Sequence, residues 1–296
     1  MGVKTITELT ELTSLSDDDL FLVYDTSTSA SKKILKSTIE ALPMGWIYGL
    51  GLSNYSGDTE HGITIAPGKA RNDTDTTNMY LPSAMSKYAD TEWGAGNDNG
   101  GMASGESLPT SGTIHVWLIK NPTTNTVDVM FNNNATTGLS PTLPEGYTVK
   151  RRIGSYRTDA SANILNGDWW GTGNNRTFMY DTPILDVNAT NPGTNAVTAS
   201  LSVPGGVSVI ARVALGGVAG DSGENPATYI SALDNEDLAP SQTASPLASM
   251  GAVAVQGYAF QAAVKTNTSS QIRYRCKASA AAMKMLIATL GWEDSL

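Results

Sequence analysis

A single cysteine, Cys276, stands in a chain of 296 residues, so neither an intrachain disulfide nor a cysteine-rich metal site can form. It lies in the alternating run Ile272-Arg273-Tyr274-Arg275-Cys276-Lys277-Ala278, where a buried small hydrophobe is the expected role. Histidine is nearly as scarce, with His61 and His115 the only two. Charged residues make up only 16% of the chain, and a net charge of -9 leaves little positive surface for a phosphate backbone. Lys150-Arg151-Arg152 is the one dense basic cluster, and Val149 and Ile153 on its flanks place it at a strand end. Nucleic acid is therefore not an expected partner. No apolar run approaches the ~20 residues that span a bilayer, and the N-terminus lacks a basic region followed by an apolar stretch. Membrane insertion is not expected, and the chain reads as one assembled in a cytosol. The Glu and Lys that fill a helix bundle's surface are also in short supply; 29 Gly and abundant Thr, Ser and Asn give a turn-rich composition.

What is present begins with an unusual leader. A Thr-rich lead runs into Asp17-Asp18-Asp19, followed by the apolar run Leu20-Phe21-Leu22-Val23-Tyr24, Asp25 and a Ser/Thr turn over 26–31. Lys32-Lys33 then opens a short segment in which Ile34, Leu35, Ile39 and Leu42 fall near one helical face, and Pro43 stops it. About 40 residues with one strand and a short helical piece cannot bury a core alone, and no cysteine or histidine staples them. The segment is expected to order against another chain or against copies of itself. The aspartate triplet reads as a turn and helix cap rather than a cation site.

The order of acidic triplet, apolar strand, acidic stop and Lys-Lys segment resembles the virion-attachment segment at the N-terminus of tailed-phage fibre proteins, which are usually homotrimers. The resemblance implies docking on other virion proteins through Asp17, Asp18, Asp19, Leu20, Phe21, Leu22, Val23 and Tyr24. Three later stretches, KRRIGS (150–155), DTPILDVNATNPGT (181–194) and IATLGW (287–292), give the body a weaker similarity to phage fibre or head-spike proteins.

Beyond the leader the chain is patterned for strands. Ile47 to Leu52 reads as one strand and Gly62 to Ala66 as another, whereas Leu81 to Tyr88 has weak helical spacing. Thr113 to Ile119 and Val127 to Phe131 flank Asn121-Pro122-Thr123-Thr124-Asn125 and predict a β-hairpin; Arg151 to Arg157 adds a further strand. Asp186 to Gly193, with its Asn-Pro-Gly turn, marks the expected domain boundary. After it, strands are predicted over 196–203, 207–215, 227–233, 252–264, 271–278 and 285–292, divided by Gly/Pro turns. No repeat of fixed period occurs, which argues against a long β-helix. The expectation is a mainly β protein: a leader over 1–43, then two antiparallel β-sandwich or jelly-roll-like domains over 44–185 and 186–296.

No catalytic constellation stands out. Gly220-Asp221-Ser222-Gly223 has the letters that surround a protease serine, but neither histidine has the matching surroundings, so a turn is the reading. His115 alternates with Ile114 and Val116 and reads as structural; His61 beside Glu60 and Asp58 is a weak metal signal. No metal or other cofactor is predicted. Asp159, Asp168 and Asp181 form no recognisable carboxylate pair for glycoside cleavage. The tryptophans are more informative. Asp168, Trp169, Trp170, Asn174 and Asn175, together with Trp93 in its Gly/Asn-rich loop, combine indole faces with hydroxyl-binding groups, as a polysaccharide-binding surface would. Consecutive tryptophans in a strand point to opposite faces, so one of the pair is expected inside. The sequence thus points to a non-enzymatic, homotrimeric virion protein that attaches to a host surface. A capsid decoration or head-fibre protein and a short polysaccharide-degrading tailspike are the open alternatives.

Overall fold

Alternating runs such as Gln271 to Cys276 become strands in the computed structural model, which describes residues 20–35, 44–218, 228–240, 257–277, 279 and 281–296. The chain divides into two compact units, Met1–Met44 and Gly45–Leu296.

In the first unit, strands β1 (Leu20–Asp25) and β2 (Ala30–Leu35) form an antiparallel hairpin that pairs Leu20 with Leu35 and Phe21 with Ile34. The amphipathic helix expected to open at Lys32 is thus corrected over its first residues, which are extended. Pairing with the apolar run of β1 outweighs a weak helical period, and Ser29, at a φ of 50°, supplies the left-handed residue that closes the turn. Residues 36–43, which hold the rest of that predicted helix, lie outside the described residues.

The second unit is mainly β, as the patterning predicts. Its strands are β3 (Ile47–Gly49), β4 (Leu52–Tyr55), β5 (Asp58–Ile65), β6 (Gly68–Arg71), β7 (Asn78–Leu81), β8 (Met85–Glu92), β9 (Asn99–Met102), β10 (Thr113–Asn121) and β11 (Thr126–Asn133). After one helical turn, α1 (Asn134–Thr137), come β12 (Val149–Arg157), β13 (Gly167–Thr172), β14 (Asn175–Thr190), β15 (Val197–Ser200) and β16 (Ile210–Val218). The last described strands are β17 (Thr228–Ser231), β18 (Gly257–Lys265), β19 (Gln271–Cys276) and β20 (Lys284–Ser295). They build a seven-stranded sheet β12-β10-β11-β9-β8-β5-β4, a five-stranded sheet β13-β14-β20-β16-β18, and three-stranded sheets β15-β19-β17 and β3-β6-β7.

Three expectations are corrected. The boundary at 185/186 falls inside β14, whose two halves both pair with β20, so the body is one unit rather than two domains. Ile65, Val116, Phe178, Val213, Ile272 and Ile287 belong to one buried cluster drawn from both sides of that point. Arg152 of β12 also donates two hydrogen bonds to the carboxylate of Asp294 on β20, at 2.6 and 2.8 Å, tying the two large sheets together. The Asn-Pro-Gly stretch follows the strand instead of parting two cores. Second, the seven-stranded sheet is mixed, because β9 runs parallel to both β8 and β11. Third, the weak helical spacing of 81–88 gives way to β8, whose Lys87 and Tyr88 pair with Ile63 and Gly62.

The predicted hairpin 113–131 forms the second and third strands of the seven-stranded sheet, beside edge strand β12. Asn121 Oδ1 accepts from the backbone N–H groups of Thr123 and Thr124, and Asn125 takes a φ of 60° to complete the turn. Ile114, Val116 and Leu118 face the main core. Trp117 and Ile119, on the other face, join Met130, Ala103 and Tyr147 in a second buried cluster. This hairpin is therefore covered on both sides.

Candidate functional site

β13 and β14 carry most of the predicted sugar-binding residues. Trp169 points inward, half-buried, with its ring 5.4 Å from Phe178 and 5.9 Å from Trp292. Trp170 is 60% exposed and shares the outer face of β13 with exposed Asp168. The structure therefore divides the pair of indoles as strand alternation requires. Asn174 is half-buried and Asn175 exposed; the Asn174 carbonyl accepts from Leu296 N–H at 2.8 Å, so the turn is tied to the last residue of the chain. Arg176 is buried beneath this turn, donating to the carbonyls of Gly49 at 2.7 Å and Leu50 at 2.6 Å, and burial lowers its pKa to about 10.

Trp93 is not part of that surface. Its Nε1 donates to the Val129 carbonyl at 2.9 Å, and its ring meets Tyr147 edge-on at 5.3 Å. Beside it Lys87, fully buried, forms an ion pair of 2.9 Å with Asp128 and lies 5.3 Å from the Trp93 ring centre. Asp128 also accepts from Gly96 N–H at 2.7 Å. Burial lowers the Lys87 pKa, and Asp128 opposes that shift. The Gly/Asn-rich loop after Trp93 is pinned by a buried charge pair, and the Trp93 ring packs against the second buried cluster.

Both histidines have side-chain partners. His115 is buried, with Nδ1 2.7 Å from Ser155 Oγ and Nε2 3.0 Å from Asn134 Oδ1. Both His115 and Ser155 are fully buried. Gly206, at a φ of 82°, passes directly over Asn134, where a Cβ would collide with the amide oxygen. His61 Nδ1 sits 3.0 Å from Asp58 Oδ2, and among the described residues no group of three His, Cys, Asp or Glu side chains could hold a metal. Cys276 is buried, and the Gly220-Asp221-Ser222-Gly223 stretch lies outside the described residues. So do Asp17, Asp18 and Asp19 of the docking set; Leu20, Phe21, Leu22, Val23 and Tyr24 form β1, where Tyr24 is exposed.

Sequence reasoning missed the outer face of β3-β6-β7. Ile47, Ala70 and Met79 lie opposite one another across the three strands and turn into the core. Their neighbours Tyr48, Lys69 and Tyr80 form the next row and turn outward. Tyr48 is 68% exposed and Tyr80 54%, with Lys69 Nζ 5.1 Å from the Tyr80 ring centre. Trp46 stacks against Tyr48 at 5.9 Å, its carbonyl accepting from Arg71 N–H at 2.9 Å, and Arg71 Nη1 donates to Asn78 Oδ1 at 2.9 Å. The face thus holds three aromatic rings, two cations and an amide in two rows. Each strand does show one outward residue between inward ones, but only the pairing order reveals that they adjoin.

The chain matches no family model, no curated protein and no solved structure.

Proposed function

We propose that this chain is a structural, non-enzymatic subunit of a tailed-phage particle: a homotrimeric fibre that docks on other virion proteins through residues 1–43 and presents its β body to the host surface. The observation that carries this reading is the division of the chain at 44/45 into a small unit and one large β body. A unit of that size needs a partner to become ordered, and its described strands are a single hairpin, which is marginal alone. The residues 17–24 that carry the resemblance to virion-attachment segments run into that hairpin. A single β body is suited to a rigid projection that offers loops and sheet faces for contact.

Deletion of residues 1–43 is the test. The truncated protein should fold, with the denaturation profile of the body, and should fail to incorporate into particles. Incorporation at the full-length level would overturn the docking role. Light scattering on the full chain should give a mass near three times 31.1 kDa.

A further inference from the structure

We propose that the outer face of β3-β6-β7 is a binding site for acidic polysaccharide, a glycan chain bearing carboxylates, held by Tyr48, Tyr80 and Trp46 with Lys69 and Arg71. This inference rests on the attachment reading and gives it a ligand class and a location. The geometry is that of a cross-strand row. Tyr48 and Tyr80 stand two strands apart, about 9–10 Å, with Lys69 between them. Exposed rings at that spacing offer apolar faces to successive sugar rings, and the ammonium between them meets a carboxylate.

The composition of the face selects this occupant over others. Among the described residues, neither Lys69 nor Arg71 forms an ion pair with a carboxylate. Arg71, half-buried, donates to Asn78 Oδ1 and the Asp75 carbonyl, both neutral acceptors. A second copy of the chain fits less well, because a lysine occupies the middle of the row and interface cores are depleted in lysine. Nucleic acid carries roughly one charge per 1.7 Å of duplex and is repelled by the acidic remainder of the protein. A glycan with more widely spaced carboxylates meets the two cations with less of that repulsion.

The test uses purified full-length protein in affinity electrophoresis through gels containing polygalacturonate, hyaluronan or polysialic acid, with dextran as the neutral control. At least one acidic polymer should retard the protein more than dextran does, and added salt should weaken the effect. The double variant Tyr48→Ala/Tyr80→Ala should bind at least about tenfold more weakly, and Lys69→Gln should lose part of the affinity while keeping its fold. Equal retardation by dextran, retardation unaltered in the double variant, or no retardation by any polymer would each overturn the proposal. So would retardation by a single-stranded oligonucleotide that those substitutions abolish, or a change in molar mass of the double variant, which would make the face a subunit contact. The two readings fail separately. Loss of polymer binding leaves the incorporation defect of the 1–43 deletion untouched, whereas incorporation without residues 1–43 removes the virion reading and leaves the glycan site standing.

Discussion

The hairpin β10-β11 and the small sheet β3-β6-β7 are both antiparallel pairings that turn aliphatic residues into the main core and place aromatic residues on the outer face. In the hairpin the outer face is roofed. Trp93 and Tyr147 close over Trp117, Ile119 and Met130, and Asn134 with Gly206 closes over His115. In β3-β6-β7 the outer row of Tyr48, Lys69 and Tyr80 has no comparable roof among the described residues, and its two tyrosines are more than half exposed. An aromatic residue that is covered holds the fold together. One left uncovered beside cations is available to a ligand. The difference lies in what crosses above the strands, not in the strands themselves, and the following experiments act on that difference.

The largest effect is expected at the charge pair that pins the hairpin's roof. Asp128→Ala leaves the Lys87 ammonium buried without its counter-ion and releases Gly96 N–H, so the folded state should lose about 3–5 kcal/mol in urea denaturation. The double variant Lys87→Met/Asp128→Ala should recover much of that loss, because the cost is the unpaired charge. A double variant as unstable as the single would mean that the pair contributes through packing alone.

The second effect is pH-dependent and comes from His115. Burial holds its pKa at about 4, below the ordinary 6.5; the Asn134 hydrogen bond and Asp294 act upward, and Arg152 acts downward. The folded protein therefore keeps this imidazole neutral while the unfolded chain takes up a proton below pH 6.5. Stability from this group is complete above pH 6.5 and falls as the pH drops toward 4, by roughly 3 kcal/mol in all. His115→Gln should be less stable at neutral pH and should lack this component of the slope between pH 6.5 and 4. An unchanged slope in the variant would assign the acid sensitivity to carboxylates.

Trp93→Ala should come next, costing about 2–3 kcal/mol, because it removes a half-buried ring from the roof and leaves the Val129 carbonyl without its indole donor. Trp93→Phe should retain most of the packing and lose about 1 kcal/mol with the hydrogen bond.

Much of the architecture was legible because strand patterning depends on near neighbours. The hairpin 113–131 and the strands after Pro192 follow from alternation and turn residues alone. The misreadings share one physical origin, since each concerned what lies beside a segment rather than within it. Ile47 to Leu52 looks like one strand, yet Leu50, at a φ of 55°, breaks it into β3 and β4 in different sheets. The Asn191-Pro192-Gly193 turn carries the local marks of a linker, but β14 and β20 pair alongside it and fuse both halves into one core. Trp93 and Trp170 occur in equally polar, Gly-rich surroundings. Only the tertiary partners, Val129 and Tyr147 on one side and solvent on the other, separate a packing residue from a surface one.

The smallest expected effect is the sharpest test of the contrast. Tyr48→Ala and Tyr80→Ala should each change the unfolding free energy by no more than about 0.5 kcal/mol, the range of surface substitutions that touch no core. The strands beneath them are held by Ile47, Ala70, Met79 and Leu81, which stay in place. A loss comparable to that of Trp93→Ala would mean that these rings stabilise the sheet through Trp46 and Lys69 and are no freer than the roofed ones. Stability that is unchanged while glycan retardation falls would separate the two faces cleanly. The hairpin's aromatics would then be committed to folding, and those of β3-β6-β7 to an external partner.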